Sequence, residues 1–209
     1  MKRATIVNLN KSKFVNVISK NNIVIIMAIF YALGILFGVL WLKNSQSILE
    51  IARQSFSDYL AARENKGMFS VFLSSFMGTL PIALLLFLCG TSIVGIVLTP
   101  LAVCYRGFEY GVLSGFLYTT FSLQGIAFNS LILIPCTILA VFGYIISGRE
   151  ALKFSLKLAK ISMPKGQAAN LYSDFKTYCK IFILILILFV FSALLDAIMS
   201  VSFLKFFNF

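Results

Sequence analysis

Histidine is absent from this chain altogether. That removes His-based triads, His-ligated zinc sites and most acid–base schemes in one stroke. Acids are scarce as well, with seven Asp and Glu against eighteen Lys and Arg. No glycine-rich phosphate loop with its lysine occurs, so no internal ATP site is expected. Cys89, Cys104, Cys136 and Cys179 form no CxxC pair, and none lies in the polar stretch 43–67. They are expected as small buried apolar side chains, with no disulfide among them. No catalytic residue, metal or cofactor is expected.

Charge is missing over a long distance too. Between Lys66 and Arg149 the only charged residues are Arg106 and Glu109. Hydrophobic residues make up 60% of the chain, charged ones 12%, and the mean hydropathy is +0.96. Several uncharged runs are long enough to cross a bilayer, which marks an all-α, polytopic helical membrane protein. The formal net charge of +11 suggests nucleic acid at first sight. The cations cluster beside apolar runs, however, where enrichment of Lys and Arg on the cytoplasmic side explains them, so no nucleic acid partner is expected.

Taken in order, the spacing predicts a single integral membrane domain over 1–209. Its spans are 23–42, 80–103, 109–126, 129–147 and 181–204, five in all. Lys2, Arg3, Lys11, Lys13 and Lys20 precede the first span. They place the N-terminus in the cytoplasm, and that span is too long for a cleaved signal, so it is expected to stay as an anchor. The outer loop 43–67 carries Leu49, Ala52, Phe56, Tyr59 and Leu60 at helical spacing, with Glu50, Arg53, Ser57, Asp58 and Glu64 on the other side. An extracytoplasmic amphipathic helix is expected there.

The uncharged run from Met68 to Tyr105 fits one crossing with a re-entrant lead-in at 68–79, or two crossings turning near Gly90-Thr91-Ser92. Parity of charge favours one. It keeps the segment 148–180, rich in Lys and Arg, in the cytoplasm. Within that segment Arg149, Lys153, Lys157 and Lys160 share a face, predicting a separate basic amphipathic helix on the anionic inner leaflet.

Five glycines stand out. Gly107, Gly111 and Gly115 recur at i, i+4 and i+8, and Gly34 and Gly38 form another such pair. Faces of this kind let helix backbones approach closely in membranes. Asp196 is an intramembrane carboxylate, a candidate polar site by default. Arg106 and Glu109 are expected to pair with each other at the inner rim. For partners, Phe56 and Tyr59 are the candidate aromatic anchors, with Arg53 and Asp58 around them.

Leu88-Cys-Gly-Thr-Ser-Ile-Val-Gly95, Tyr105 through Gly115, Leu133-Ile-Pro135 and Gly143 through Gly148 resemble the stage II sporulation protein M family. The first span, from Ala32 to Gly38, is similar as well, and the likeness covers roughly residues 23–158. The resemblance implies a non-enzymatic scaffold of the bacterial cell membrane. Such a scaffold anchors peptidoglycan-degrading, membrane-associated proteins during forespore engulfment, and homo-oligomers are compatible with it. The alternative is a permease subunit paired with a separate ATPase, in which Asp196 lines a path.

Overall fold

The computed structural model describes residues 22–64, 66–162 and 171–207; the cationic residues before 22 and the Pro164-Lys165-Gly166 break lie outside them. The described residues form helices and turns without a strand. The helices are α1 (Asn22–Asn44), α2 (Gln46–Ala61), α3 (Met68–Gly90), α4 (Gly95–Phe128), α5 (Ile134–Ile161) and α6 (Leu171–Phe203). A π-helical turn, Asn129–Leu133, joins α4 to α5, and a 3-10 turn, Leu204–Phe206, follows α6. Among the described residues four continuous helical stretches are long and apolar enough to cross a membrane: Asn22–Asn44, Met68–Gly90, Gly95–Ile161 and Leu171–Phe206. Large apolar side chains such as Phe37, Leu88, Leu101 and Leu184 point outward from them. That distribution suits hydrocarbon surroundings rather than water.

The stretch Gly95–Ile161 contains 67 residues. At 1.5 Å per residue a straight helix of that length would measure roughly 100 Å, about three times the hydrocarbon thickness. It is not straight. Ser122 takes φ 47° and ψ −119°, outside the helical region. Across this break the Tyr110 hydroxyl donates to Asn129 Oδ1 at 3.3 Å, although the two residues are 19 apart in sequence. A straight helix would separate them by roughly 28 Å. The chain therefore doubles back at Ser122. Gly125 lies where a Cβ would strike the Leu117 carbonyl, which allows the returning helix to pass close by.

A single helix over 80–103 does not form. The chain turns at Thr91–Val94, in the middle of that stretch, and no re-entrant segment occupies 68–79, which is the first half of α3. The turn is held without charge: Ser155 donates its hydroxyl to the Ser92 carbonyl at 2.6 Å, and Thr91 donates to the Leu88 carbonyl at 2.8 Å. Pro81 and Pro100 lie inside α3 and α4 rather than at their ends. As a result Arg106 and Glu109 fall near the middle of the segment between Gly95 and Ser122, not at a rim. The expected basic surface helix is likewise part of something larger. Residues 149–161 continue α5, where Phe154 packs with Tyr178 and Phe182, and α6 begins at Leu171 rather than 181.

The closest helix packing is between α1 and α4. A Cβ on Gly34 would collide with the Cys104 carbonyl, and one on Gly38 would lie 2.9 Å from the Val112 nitrogen. From the other side, Gly107 abuts the Tyr31 carbonyl and Gly111 lies against the Ile35 backbone. All four obstacles are main-chain atoms, which cannot rotate aside. Gly115 differs, because its nearest neighbour is the Leu42 side chain at 3.1 Å, and Gly78 faces open space. Gly38→Ala and Gly111→Ala should each lower the thermal midpoint in detergent, at a cost of about 1–3 kcal/mol for overpacking. Gly115→Ala should be mild and Gly78→Ala neutral. Equal midpoints for all four variants would show that backbone contact does not hold these helices.

Candidate functional site

Two ion pairs lie in the interior among polar residues. The first links Arg63 to Asp196. Arg63 follows α2 in the turn toward α3, and its position continues the buried stripe of Ala52, Phe56 and Tyr59 at helical spacing. Its Nη2 reaches Asp196 Oδ2 at 2.5 Å, with the two side chains only 7% and 9% exposed. Nη2 also donates to Ser75 Oγ at 2.8 Å, and Nη1 donates to the Tyr59 carbonyl at 3.1 Å. The guanidinium lies over the Tyr59 ring, 3.4 Å from its centre, a favourable cation–π position.

Asp196 is supplied from several helices. Tyr59 donates to Oδ1 at 3.3 Å, Ser200 at 3.4 Å and the Cys136 thiol at 3.6 Å, while Ser75 donates to Oδ2. Burial, and then the neighbouring carboxylate, raise the pKa of the Tyr59 phenol far above its ordinary value, so it stays a neutral donor. This arrangement ties together α2, α3, α5 and α6. A buried pair tolerates removal of both partners better than removal of one, which strands an uncompensated charge.

The second pair is Arg106 and Glu109, Nη1 to Oε2 at 2.5 Å, with side chains 27% and 36% exposed. Arg106 lies over the Tyr144 ring, 5.3 Å from its centre. The Tyr144 residue is 1% exposed, yet its hydroxyl has no hydrogen-bond partner among the described residues. Both ion pairs open on one cavity of about 320 Å³, whose wall includes Tyr31, Thr79, Tyr110 and Thr137. Toward the Gly90–Gly95 turn an apolar cluster including Met27, Leu86, Val103, Leu152 and Phe189 fills the bundle. Among the described residues no three Cys, Asp or Glu side chains converge as a metal site would require.

Among the residues singled out by sequence, Asp196, Arg106 and Glu109 therefore come together on one cavity. Gly34, Gly38, Gly107 and Gly111 meet along α1 and α4. The proposed aromatic anchors are not on the surface. Phe56 is 4% exposed and packs against Phe116, Phe121 and Phe128, while Tyr59 is engaged with Asp196. The apolar stripe of α2 finds its partner in the bundle itself, leaving Arg53 and Asp58 exposed on the opposite side. In the sequence Arg63 is masked by its neighbours, because the charges around it belong to the solvated face. Its spacing of four from Tyr59 and seven from Phe56 was the available signal.

The family model for stage II sporulation protein M matches residues 26–201. No curated protein and no solved structure matches the chain.

Removing one half of the Arg63–Asp196 pair should be costly. Asp196→Asn should lower the thermal midpoint in detergent, on the scale of about 3–5 kcal/mol for a broken buried pair. The double variant Arg63→Met with Asp196→Leu should lose less than Asp196→Asn alone. Strictly additive losses across the single and double variants would mean that the pair is not a coupled unit.

Proposed function

The chain belongs to the stage II sporulation protein M family, and from that premise we propose that it is a non-enzymatic scaffold of the bacterial cell membrane. In this reading it anchors peptidoglycan-remodelling proteins during forespore engulfment. The family match over most of the chain is the observation that carries the reading. Five crossings fit the helices: α1, α3, the two arms of Gly95–Ile161 on either side of Ser122, and α6. With the N-terminus in the cytoplasm, α2 then lies outside, and the basic end of α5 lies inside.

A scaffold must hold a recognition surface at a defined place. Supporting that role, the Arg63–Asp196 pair pins the end of α2 to α3 and α6, and Phe56 seats its middle on an aromatic cluster. The exposed side of α2 then offers Glu50, Arg53 and Asp58 to the outside, beside a depression lined by Arg53, Ser57, Glu64 and Thr120. Charges on a rim of this kind set orientation and partner choice more than raw affinity.

Two experiments test the reading. For topology, Ser57→Cys should react with an impermeant thiol reagent in intact cells and Lys160→Cys should not; labelling at 160 from outside would sink the five-crossing arrangement. For the partner surface, Arg53→Glu with Asp58→Lys should leave membrane insertion and thermal midpoint unchanged, because both side chains are exposed. Recovery of membrane-associated peptidoglycan hydrolases with the protein should fall at the same time. Undiminished recovery with the doubly reversed variant argues against α2 as the docking element.

A further inference from the structure

The two ion pairs on the cavity wall differ in how accessible they are, 7% and 9% for Arg63 and Asp196 against 27% and 36% for Arg106 and Glu109. Around Asp196 both carboxylate oxygens accept bonds from Arg63, Ser75, Tyr59, Ser200 and Cys136. Both oxygens are engaged and little of either side chain is exposed, although Arg63 Nε is buried without a hydrogen-bond partner among the described residues. Arg106 and Glu109 are different. A guanidinium has five N–H donors, and a carboxylate has about four acceptor positions. One Nη1-to-Oε2 bond joins the two, and about a third of each side chain remains accessible. Beside them the buried Tyr144 hydroxyl, next to Arg106, makes no well-formed hydrogen bond among the described residues. An unmet buried hydroxyl costs about 1–3 kcal/mol, so something polar should occupy the space in front of it.

Charge balance selects the occupant. Arg106 and Glu109 sum to zero, and they stand in the middle of an apolar bundle. A net-charged molecule entering there would bring an uncompensated charge into low-dielectric surroundings. A molecule carrying one carboxylate and one ammonium would not. Its carboxylate matches the unused edge of Arg106 and the Tyr144 hydroxyl, and its ammonium matches the accessible oxygens of Glu109. The cavity volume of about 320 Å³ lies at the small end of the range of roughly 300–1,000 Å³ for small-molecule sites. Thr79, Tyr110 and Thr137 also line the wall; the Thr79 and Tyr110 protons are already donated to the Phe76 carbonyl and to Asn129, which leaves their oxygens as acceptors for a polar substituent.

We propose that Arg106, Glu109 and Tyr144 form a binding site for a small zwitterion of amino-acid size. Arg106 and Tyr144 take its carboxylate and Glu109 takes its ammonium group. The site goes beyond the scaffold reading and does not depend on it, since it requires no partner protein.

The purified full-length protein in detergent provides the test, with L-alanine, L-leucine and L-glutamine as zwitterions of increasing size. Propionate and ethylamine, each carrying one of the two charges, are the comparison. At least one of the three amino acids should raise the thermal midpoint and give saturable binding by calorimetry, and neither singly charged compound should do so. Tyr144→Phe keeps the ring and its packing while removing the hydroxyl. It should weaken that binding by about tenfold, the scale of a hydrogen bond to a charged group. Arg106→Lys, which keeps the charge and loses the fork, should weaken it further. If Arg106→Lys fails to fold, Tyr144→Phe still decides. Absence of binding for all three amino acids, equal binding of propionate, or wild-type affinity in Tyr144→Phe each overturns the proposal.

Discussion

A carboxylate set inside an apolar bundle must be met by a cation and by enough donors to replace the water it has lost. Asp196 meets that demand with Arg63, Ser75, Tyr59, Ser200 and Cys136. The consequence reaches beyond one hydrogen-bond cluster. Because the donors come from different helices, satisfying one carboxylate fixes the end of α2, the first half of α3 and the facing turns of α5 and α6 relative to one another. A buried pair of this kind adds little net stability over apolar packing. Its contribution here is positional, since donors from four helices meet at the same two oxygens.

A second constraint governs the other side of the bundle. Along α1 and α4 the glycines bring backbone within van der Waals distance of backbone. Between helices in lipid there is little hydrophobic gain from association, so close packing must supply the attraction. The molecule thus has two differently built parts: α1 laid chiefly on α4 by shape, and α3, α5 and α6 packed on one another and linked by polar contacts. The cavity lies between them. Tyr31, Arg106, Glu109 and Tyr110 line it from the first part, and Thr79, Thr137, Tyr144 and Asp196 from the second.

This division also accounts for what the sequence disclosed. Apolar runs, the glycine spacing and the isolated acid at 196 are local signals, and each marks a place where the structure has a corresponding feature. The resemblance quoted on residues 88–95 and 105–115 is matched by the family to which the chain belongs. Boundaries of the second and third helices were not legible. Arg106 was treated as a marker of a loop, on the premise that charges stay at the rim. A neighbour of opposite charge three residues away removes that premise, because the pair is neutral and can sit mid-helix beside a polar cavity. The true turn, at Thr91–Val94, carries no charge and is closed by a hydroxyl from Ser155, far away in sequence. For α2 the periodicity was visible, but not what it faced. Its apolar stripe is tethered a few residues from α1 and α3, so the nearest apolar surface is the chain's own bundle, and Phe56 is buried there before any partner can compete.

The contrast between the two ion pairs separates structure from function within one cavity. A carboxylate whose two oxygens are both engaged resists change, and any ligand would have to displace bonds that already exist. Asp196 is in that position, so a carboxylate that looks functional by its depth in the membrane is by its surroundings a fastener. The pair that looks self-sufficient in sequence, Arg106 and Glu109 at i and i+3, is the more accessible one. It keeps accessible surface at mid-helix and faces a buried phenol that has no well-formed hydrogen bond among the described residues. Unused hydrogen-bonding capacity in a nonpolar setting is costly to maintain. Its persistence beside a cavity therefore points to the space between Arg106, Glu109 and Tyr144, and not to the more deeply buried carboxylate, as the place where this bundle has room for a ligand.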